Sequence, residues 1–174
     1  GYPKGQIVID EKPILTRLNA LLGQVCAKTF LLGEDPRYGA LNIKTLPDAY
    51  IGAGPLSGIT SLLKHTEGDQ VVIVPCDTPN LTLEVLSALL EVQTQQPVAC
   101  QTSVRKHPLV SRWRKRHLAA VFQGMLSQRS VTDTFESLNG VWLNFPDETV
   151  FANINSADDM TQFGAHAKLL PEHI

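Results

Sequence analysis

The sequence predicts an α/β fold with a mostly parallel sheet sandwiched between helices. Short runs rich in β-branched residues alternate along the chain with stretches in which leucines recur at helical spacing. The most apolar run, residues 71–74, contains no polar residue, which is typical of a parallel strand that is covered on both faces. This alternation indicates βαβ units, and ligands of such sheets bind beyond the carboxyl ends of the strands.

The individual elements are predicted from local patterns. Pro13 is tolerated at the first position of a helix, and Thr82 and Ser156 can cap the helices that follow them. A turn is predicted at residues 11–13. Strands are predicted at residues 7–9, 29–32, 43–46, 71–74, 98–102 and 141–145, and helices at 14–22, 59–63, 83–90, 111–126, 130–138 and after 156.

The bulk composition limits the class of protein. A chain of 174 residues with 43% hydrophobic residues can bury the core of one domain, and a net charge of −2 excludes a strongly basic nucleic-acid binder. No stretch approaches the roughly 20 apolar residues that span a bilayer, so no membrane role is expected. Cys26, Cys76 and Cys100 form no CxxC pair, which argues against a zinc knuckle and favours a reducing, cytoplasmic compartment.

Two aspartates follow predicted strands. Asp48 comes after the strand at 43–46, and Asp77 comes after the strand at 71–74. A carboxylate at the end of a buried strand can hold Mg²⁺ against a triphosphate, because Mg²⁺ prefers one or two carboxylates together with phosphate oxygens. The metal would neutralise the charge that builds at the α-phosphate during attack. From the residues alone, an Asx-turn or a helix cap explains Asp77 equally well.

The segment at residues 54–58 reads Gly-Pro-Leu-Ser-Gly and leads into a predicted helix. A loop of this composition lets the backbone approach a base or a ribose closely, and it also serves as a plain connection between a strand and a helix. Lys4 could supply a point charge to phosphates, although a single lysine is far more often solvated surface.

A basic stretch without acidic residues lies in the second half of the chain. It contains Arg105, Lys106 and His107, followed by the basic positions 112 and 114–116. These side chains could hold the phosphate of an anionic substrate, or they could form the solvated face of a helix. Nucleic acid is a weaker candidate, because Trp113 is the one aromatic residue interleaved with the charges. Further along, Asn153 and Asn155 alternate as two residues on one side of a strand would, and could contact a polar ligand or cap the next helix.

In this order, the motifs resemble one family, the molybdenum cofactor guanylyltransferases. The resemblance covers nearly the whole chain, and its most specific parts are Pro-Cys-Asp-Thr-Pro at 75–79 and Asn-Ile-Asn-Ser at 153–156. The sequence Asp-Thr-Pro at 77–79 argues for the guanine enzyme, since the related cytidylyltransferases usually carry an Asp-Gln-Pro-like segment. The other matching segments lie at residues 1–4, 11–15, 46–48, 54–58 and 105–108.

The resemblance implies a Rossmann-like nucleotidyltransferase fold. It also implies the transfer of GMP from Mg·GTP to the phosphate of molybdopterin, with release of pyrophosphate. Mg²⁺ is then the cofactor, GTP and molybdopterin are the substrates, and neither nucleic acid nor a membrane is a partner. The resemblance leaves open whether other proteins of cofactor biosynthesis hand over the molybdopterin.

The resemblance further implies roles for single residues. By this analogy, Asp77 binds Mg²⁺ and the nucleotide, and Lys4 contacts the nucleotide phosphates, so these two are the expected catalytic residues. The implied GTP-binding residues are Lys4, Asp48, Gly54, Pro55, Leu56, Gly58 and Asp77. The implied residues on the molybdopterin side are Arg105, His107, Asn153 and Asn155.

The sequence departs from the family pattern at its beginning. The family starts with a strand and a Gly-rich loop that would cradle the triphosphate, and residues 1–174 are expected to form a single nucleotidyltransferase domain without them. One hypothesis is that the sequence is incomplete at its amino end. The alternatives are a degenerate, non-catalytic homologue that binds nucleotides, and another nucleotidyltransferase of the same fold.

Overall fold

The computed structural model describes residues 7–33, 36–48, 50 and 52–154. The α-helices are α1 (Ile14–Leu22), α2 (Pro55–His65), α3 (Leu83–Glu91), α4 (Leu118–Leu126) and α5 (Val131–Ser137). The strands are β1 (Val8–Ile9), β2 (Lys12–Pro13), β3 (Leu31–Leu32), β4 (Thr45–Leu46), β5 (Gln70–Ile73), β6 (Val98–Gln101), β7 (Lys106–Arg114) and β8 (Val141–Asn144). Short 3₁₀ turns lie at Pro36–Leu41, Lys115–His117 and Glu148–Phe151. The helices within the described ranges are too short or too polar to span a membrane. The helix predicted after Ser156 lies outside these ranges.

The described strands form three sheets. Strands β1 and β2 form an antiparallel hairpin, and β3 and β4 form a parallel pair. The other four strands form a sheet in the order β5–β7–β6–β8. Strand β6 is parallel to β8, and β7 is antiparallel to both β5 and β6. Strands β5, β6 and β8 therefore point in one direction, as a mostly parallel sheet requires, and β7 runs against them.

Strand β7 corrects the sequence prediction. The pattern predicts one helix over residues 111–126, but the chain stays in β7 up to Arg114, and α4 begins only at Leu118. Residues 110–113 are all buried, because β7 lies between two strands and under helices on both faces, so it lacks the polar–apolar alternation of a surface strand. The register of the pairing shifts between Ala99 and Cys100, opposite a segment that contains Pro108, whose nitrogen cannot donate to the ladder.

Helices cover both faces of the four-stranded sheet, as predicted. Alternate residues of β6 belong to different cores, because successive side chains of a strand point to opposite faces. One core combines α1 and α3 with the sheet, through Ile14, Leu18, Leu86, Leu89, Val98, Cys100 and Val110. The other combines α2, α4 and α5 with the sheet, through Ile59, Leu63, Ala99, Trp113, Val121 and Phe135.

Two of the predicted element boundaries are confirmed and one is displaced. Pro13 directly precedes α1, and the Thr82 hydroxyl accepts a hydrogen bond from the Val85 N–H (3.5 Å) at the start of α3. The turn predicted at 11–13 lies earlier in the chain, because Asp10 and Glu11 have positive φ values of 48° and 65°. Two consecutive positive φ values are typical of the tight turns that join hairpin strands, and β2 follows at once.

Candidate active site

Three of the described candidate residues, Asp77, Arg105 and His107, lie at one edge of the four-stranded sheet. Asp77 follows the carboxyl end of β5, and Arg105 follows the carboxyl end of β6. Because β7 is antiparallel to both strands, its first residues begin at that same edge and place His107 there. Asp48 similarly follows the carboxyl end of β4, which pairs with β3 in a separate two-stranded sheet. Lys4 and Asn155 lie outside the described residues.

The loop that carries Asp77 is held by the segment that follows β8. The Ile154 N–H donates to the backbone oxygen of Asp77 (2.9 Å), and the Asn80 side-chain amide donates to the backbone oxygen of Thr149 (3.2 Å). Asn153 is the neighbour of Ile154 in the chain, so this backbone contact places the candidate residues Asp77 and Asn153 side by side. Asp77 itself is half-buried.

Asp48 is tied to the start of α2. Its Oδ1 accepts hydrogen bonds from the Ser57 hydroxyl and from the Tyr50 backbone N–H (3.2 Å). Ser57 is buried in the first turn of α2, and the amino end of a helix favours a nearby negative charge. The structure thus joins Asp48 to the Gly-Pro-Leu-Ser-Gly segment, two features that the sequence shows only separately.

The Gly-Pro-Leu-Ser-Gly segment at residues 54–58, which the resemblance places at the nucleotide, has an exposed part and a packed part. Gly54, with φ of 70°, and Pro55 are exposed at the start of α2, and only glycine adopts this backbone conformation without strain. Leu56 is buried in the core. A Cβ atom on Gly58 would lie 2.9 Å from Leu32 Cδ1, so the missing side chain allows α2 to pack closely against β3. The part of this segment that is accessible to a ligand is therefore Gly54 and Pro55.

Arg105 and His107 are joined by a carboxylate that the sequence did not single out. Arg105 Nε donates to Glu148 Oε1 (2.7 Å), and His107 Nε2 lies 3.3 Å from the same oxygen. The Thr102 hydroxyl donates to the other oxygen, Oε2. The imidazole of His107 stacks on the Phe151 ring, with 4.3 Å between the centroids. The 3₁₀ turn after β8 thus fixes both candidate side chains.

The charges of this cluster follow from burial and hydrogen bonding. Burial lowers the pKa of His107, and the charge of Glu148 opposes this shift only in part. For Glu148, burial raises the pKa, but the hydrogen bonds from Thr102 and Arg105 outweigh burial, so the net pKa is lowered. At neutral pH, a carboxylate therefore faces a guanidinium and a neutral imidazole.

Comparison with known proteins identifies the family. A family model described as MobA-like NTP transferase domain matches residues 1–141. The chain belongs to this family. A relative from Flavobacterium johnsoniae, named a probable molybdenum cofactor guanylyltransferase, is 25% identical over 162 residues, which cover 90% of this chain and 85% of the relative. A relative of the same name from Bacillus velezensis is 33% identical over 127 residues, covering 67% of this chain and 62% of the relative.

Solved structures share the fold of this MobA-like domain. Molybdopterin-guanine dinucleotide biosynthesis protein A from Archaeoglobus fulgidus superimposes with a TM-score of 0.74 at 20% identity, covering 94% of this chain and 89% of that protein. The 2-C-methyl-D-erythritol 4-phosphate cytidylyltransferase from Thermus thermophilus gives a TM-score of 0.69 at 13% identity, covering 92% and 91%. The prediction of a nucleotidyltransferase fold is confirmed.

Two arginines of the basic stretch of the MobA-like domain, Arg112 and Arg114, are directed to the loop after α3 and not to the candidate site. Arg112 is 1% exposed, and its guanidinium donates to the backbone oxygens of Val92 (3.0 Å) and Thr94 (3.3 Å). Arg114 donates to the backbone oxygen of Thr94 (3.2 Å) and pairs with Asp69. The solvated helix face considered for these arginines is wrong, because they belong to a strand and hold the loop after α3.

Two site residues of the MobA-like domain escaped sequence reasoning for different reasons. Ser57 lies inside the candidate segment 54–58. A serine at the start of a helix, nine positions after an aspartate that follows a strand, is a signal that the sequence does contain. Glu148 has no such signal, because its contacts with Thr102, Arg105 and His107 depend on how β8 aligns with β6.

A magnesium site in the MobA-like domain would have to use substrate oxygens. Among the described residues, no group of three or more His, Cys, Asp or Glu side chains could hold a metal. Mg²⁺ commonly takes only one or two carboxylates and completes its shell with water and phosphate oxygens. A single half-buried carboxylate such as Asp77, at the carboxyl end of a strand, has the donor chemistry that this arrangement needs.

Proposed function

We propose that this chain transfers GMP from Mg·GTP to the phosphate of molybdopterin and releases pyrophosphate. The family match over residues 1–141 is the observation on which this proposal rests. It is supported by the relatives named molybdenum cofactor guanylyltransferase, one of which aligns over 90% of the chain. The position of Asp77 at the carboxyl end of β5, beside Asn153, is the position that ligand-binding residues of α/β sheets occupy.

The proposed chemistry is a direct displacement at phosphorus. An oxygen of the molybdopterin phosphate forms a bond to the α-phosphorus of GTP, and the bond from that phosphorus to the oxygen bridging to the β-phosphate breaks. Pyrophosphate leaves with the electron pair of that bond. No protein nucleophile is needed, so the residues act by holding the two substrates in line and by balancing the charge.

The described residues divide into two sides in this proposal. On the nucleotide side, Asp77 binds Mg²⁺, whose charge offsets that of the triphosphate when the metal is bound. Asp48 holds the start of α2, so that Gly54 and Pro55 meet the nucleotide. On the molybdopterin side, the candidate contacts are Arg105, His107 and Asn153. Lys4 and Asn155 complete the proposal as a phosphate contact and a molybdopterin contact.

The substrates and the cysteines fit a cytoplasmic enzyme. GTP and molybdopterin are soluble metabolites, and delivery of molybdopterin by another protein of cofactor synthesis belongs to the same proposal. Cys26, Cys76 and Cys100 form no disulfide, which fits a reducing compartment.

The proposal is tested by GMP transfer and by nucleotide binding. We expect the wild-type protein to convert molybdopterin to the guanine dinucleotide with GTP and not with CTP. Asp77→Asn should lower kcat by about 100-fold or more, since it removes charge stabilisation at the reacting phosphates. GTP with Mg²⁺ should raise the Tm of the wild type by mass action, and this shift should vanish in Asp77→Asn.

The matched control is Asp133→Asn, which changes an exposed aspartate in the first turn of α5. This variant should keep both the transfer rate and the thermal shift. An Asp77→Asn variant that retains wild-type transfer would disprove the role of Asp77, and equal transfer from CTP would point to another nucleotidyltransferase.

A further inference from the structure

A surface cavity of about 400 Å³ lies between α2 and α4. Its walls come from the last turns of α2, from the 3₁₀ turn Lys115–His117 and from the first two turns of α4. The residues that matter here are Lys64, Lys115, Arg116, Leu118, Ala119 and Phe122, and we call this cavity the basic groove.

The basic groove and the candidate active site lie at opposite ends of β5. The Lys115 N–H donates to the backbone oxygen of Asp69 (2.7 Å), and Arg114 pairs with Gln70, the first residue of β5. Asp77 follows the other end of the same strand. The groove and Asp77 are therefore separated by the length of β5.

The cations of the basic groove have neutral partners within the described part of the chain. Lys64 Nζ donates to the Tyr50 hydroxyl (2.9 Å), and Lys115 Nζ donates to the backbone oxygen of Thr66 (2.8 Å). Arg116 Nη1 contacts the side-chain oxygen of Gln95 at 3.4 Å. By contrast, the exposed cations Lys28, Arg105 and Lys106 each pair with a carboxylate.

Two acidic residues close to Lys115 are already engaged. Glu67 pairs with Lys28 (2.7 Å), and Asp69 pairs with Arg114. The pKa of Glu67 is lowered, first by Lys28 and more weakly by the charges of Lys115 and Lys44. The groove therefore concentrates positive charge on a protein whose net charge is −2.

The shape of the groove favours a protein segment over a small molecule. Leu118, Ala119 and the half-buried ring of Phe122 supply an apolar wall, and this ring contacts Tyr50 with 5.6 Å between the centroids. Lys64, Lys115, Arg116 and Ala119 are exposed, so one side of the cavity is open. Small ligands usually lose about 70–90% of their surface in a pocket, which this open groove does not provide. A protein segment covers the open side with its own backbone.

We propose that the basic groove binds an acidic segment of a partner protein. One apolar side chain of that segment packs against Leu118 and Phe122, and carboxylates on either side of it pair with Lys64, Lys115 and Arg116. Charge complementarity and the apolar wall together define this occupant. Because the groove lies at the opposite end of β5 from Asp77, the partner remains bound while substrates enter and leave.

The test uses a defined peptide and the intact protein. The probe is an acetylated, amidated hexapeptide, Asp-Glu-Leu-Trp-Glu-Asp, and its control is the same peptide with Asn and Gln in place of the acids. Titration into isotopically labelled protein should shift the backbone amide signals of residues 115–122 with the acidic peptide only. The affinity should fall steeply as the salt concentration rises to about 0.15 M, since exposed charges are screened.

Matched variants distinguish specific binding of the peptide in the basic groove from non-specific electrostatic attraction to the protein. Lys64→Ala combined with Arg116→Ala should weaken peptide binding by about tenfold or more, the equivalent of 1.4 kcal/mol. Lys106→Ala removes an exposed lysine near the other end of the sheet and should leave the affinity unchanged. The rate of GMP transfer should be the same in the double variant as in the wild type, so this test is independent of the proposed function.

Several outcomes would overturn the inference. These are the absence of shifts at residues 115–122 with millimolar acidic peptide, equal binding of the neutral peptide, and equal loss in Lys106→Ala. Tighter binding of a single-stranded RNA oligonucleotide than of the peptide would assign the groove to nucleic acid. Both substituted residues are exposed, and an unchanged Tm of the double variant confirms that it is folded.

Discussion

The two ends of β7 use the same kind of side chain in opposite ways. Near its beginning, Arg105 and Lys106 pair with the carboxylates of Glu148 and Glu136, and their side chains remain 51% and 46% exposed. Near its end, Arg112 is 1% exposed and donates to backbone oxygens of the loop after α3. The first pairs meet water and can exchange partners, whereas the buried guanidinium ties the loop after α3 to β7.

This difference shows which charges are available to a substrate. The guanidinium of Arg112 is buried and charged, and hydrogen bonds from a charged donor contribute about 1.5–3 kcal/mol each. An exposed ion pair contributes about 0–1 kcal/mol, so a phosphate can replace one partner at little cost. The exposed charges near the start of β7 therefore suit ligand binding, and the buried charge of Arg112 suits folding.

The largest effect is expected from Arg112→Ala. The substitution removes the hydrogen bonds from the buried guanidinium to Val92 and Thr94 and leaves a cavity, so the free energy of unfolding should fall by about 3 kcal/mol or more. The matched variant Arg105→Ala breaks an exposed pair and should cost less than about 1 kcal/mol. Urea unfolding of both variants at neutral pH measures the difference. Equal losses would mean that the two ends of β7 do not differ as described.

The second effect concerns Glu148 and substrate use. Glu148→Gln should raise the KM for molybdopterin about tenfold, or 1.4 kcal/mol, with little change in the KM for GTP, because Arg105 and His107 lose the charge that fixes them. The charge of Glu148 raises the pKa of His107, so its removal should lower that pKa further. Steady-state kinetics and NMR titration of the imidazole measure the two results.

The control for this variant is Glu136→Gln, which removes the partner of the neighbouring residue Lys106. It should leave both KM values and the His107 titration unchanged. A rise in both KM values, together with a large fall in Tm, would show that Glu148 supports the fold only.

A smaller, pH-dependent effect is expected from His117, which belongs to the end of β7. Its Nδ1 accepts from the Arg114 N–H (3.1 Å), and its Nε2 lies 2.9 Å from the Gln95 oxygen, so the neutral ring with a proton on Nε2 satisfies both contacts. Burial lowers the pKa of His117 in the folded state. Below about pH 6.5, the ordinary pKa of histidine, the unfolded chain therefore binds more protons than the folded protein. The free energy of unfolding should decrease as the pH falls through this range.

The measurement is the free energy of unfolding as a function of pH. Wild-type stability should be constant above about pH 7 and should decline below about pH 6.5, and His117→Gln should reduce this decline. Burial also lowers the pKa of His107, so part of the decline should remain. A slope that is identical in wild type and His117→Gln would show that folding does not lower the pKa of His117.

The sequence predicts the layers of this fold better than its central strand. Residues 14–22, 83–91 and 98–101 form their predicted elements, because apolar spacing and capping chemistry are local. Strand β7 is missed because Arg112 and Trp113 are buried together, and a buried guanidinium that bonds to backbone oxygens has the same one-dimensional pattern as a surface charge.

The candidate site shows the same limit. Asp48 and Asp77 can be placed at strand ends from the sequence, since the end of an apolar run is a local signal. The bond between Asp48 and Ser57, and the cluster around Glu148, depend on packing between distant segments and are visible only in three dimensions. Lys4 and Asn155 remain predictions.

The contact between Ile154 and Asp77 has a consequence for natural variation. The loop that presents the aspartate is held by an amide nitrogen and not by a side chain, at a position whose own side chain is 1% exposed. Any residue of suitable size that keeps its N–H can preserve the contact, and proline is the one substitution that abolishes the donor. Homologues should therefore exchange aliphatic residues freely at position 154 and avoid proline there, even where the neighbouring asparagine is invariant.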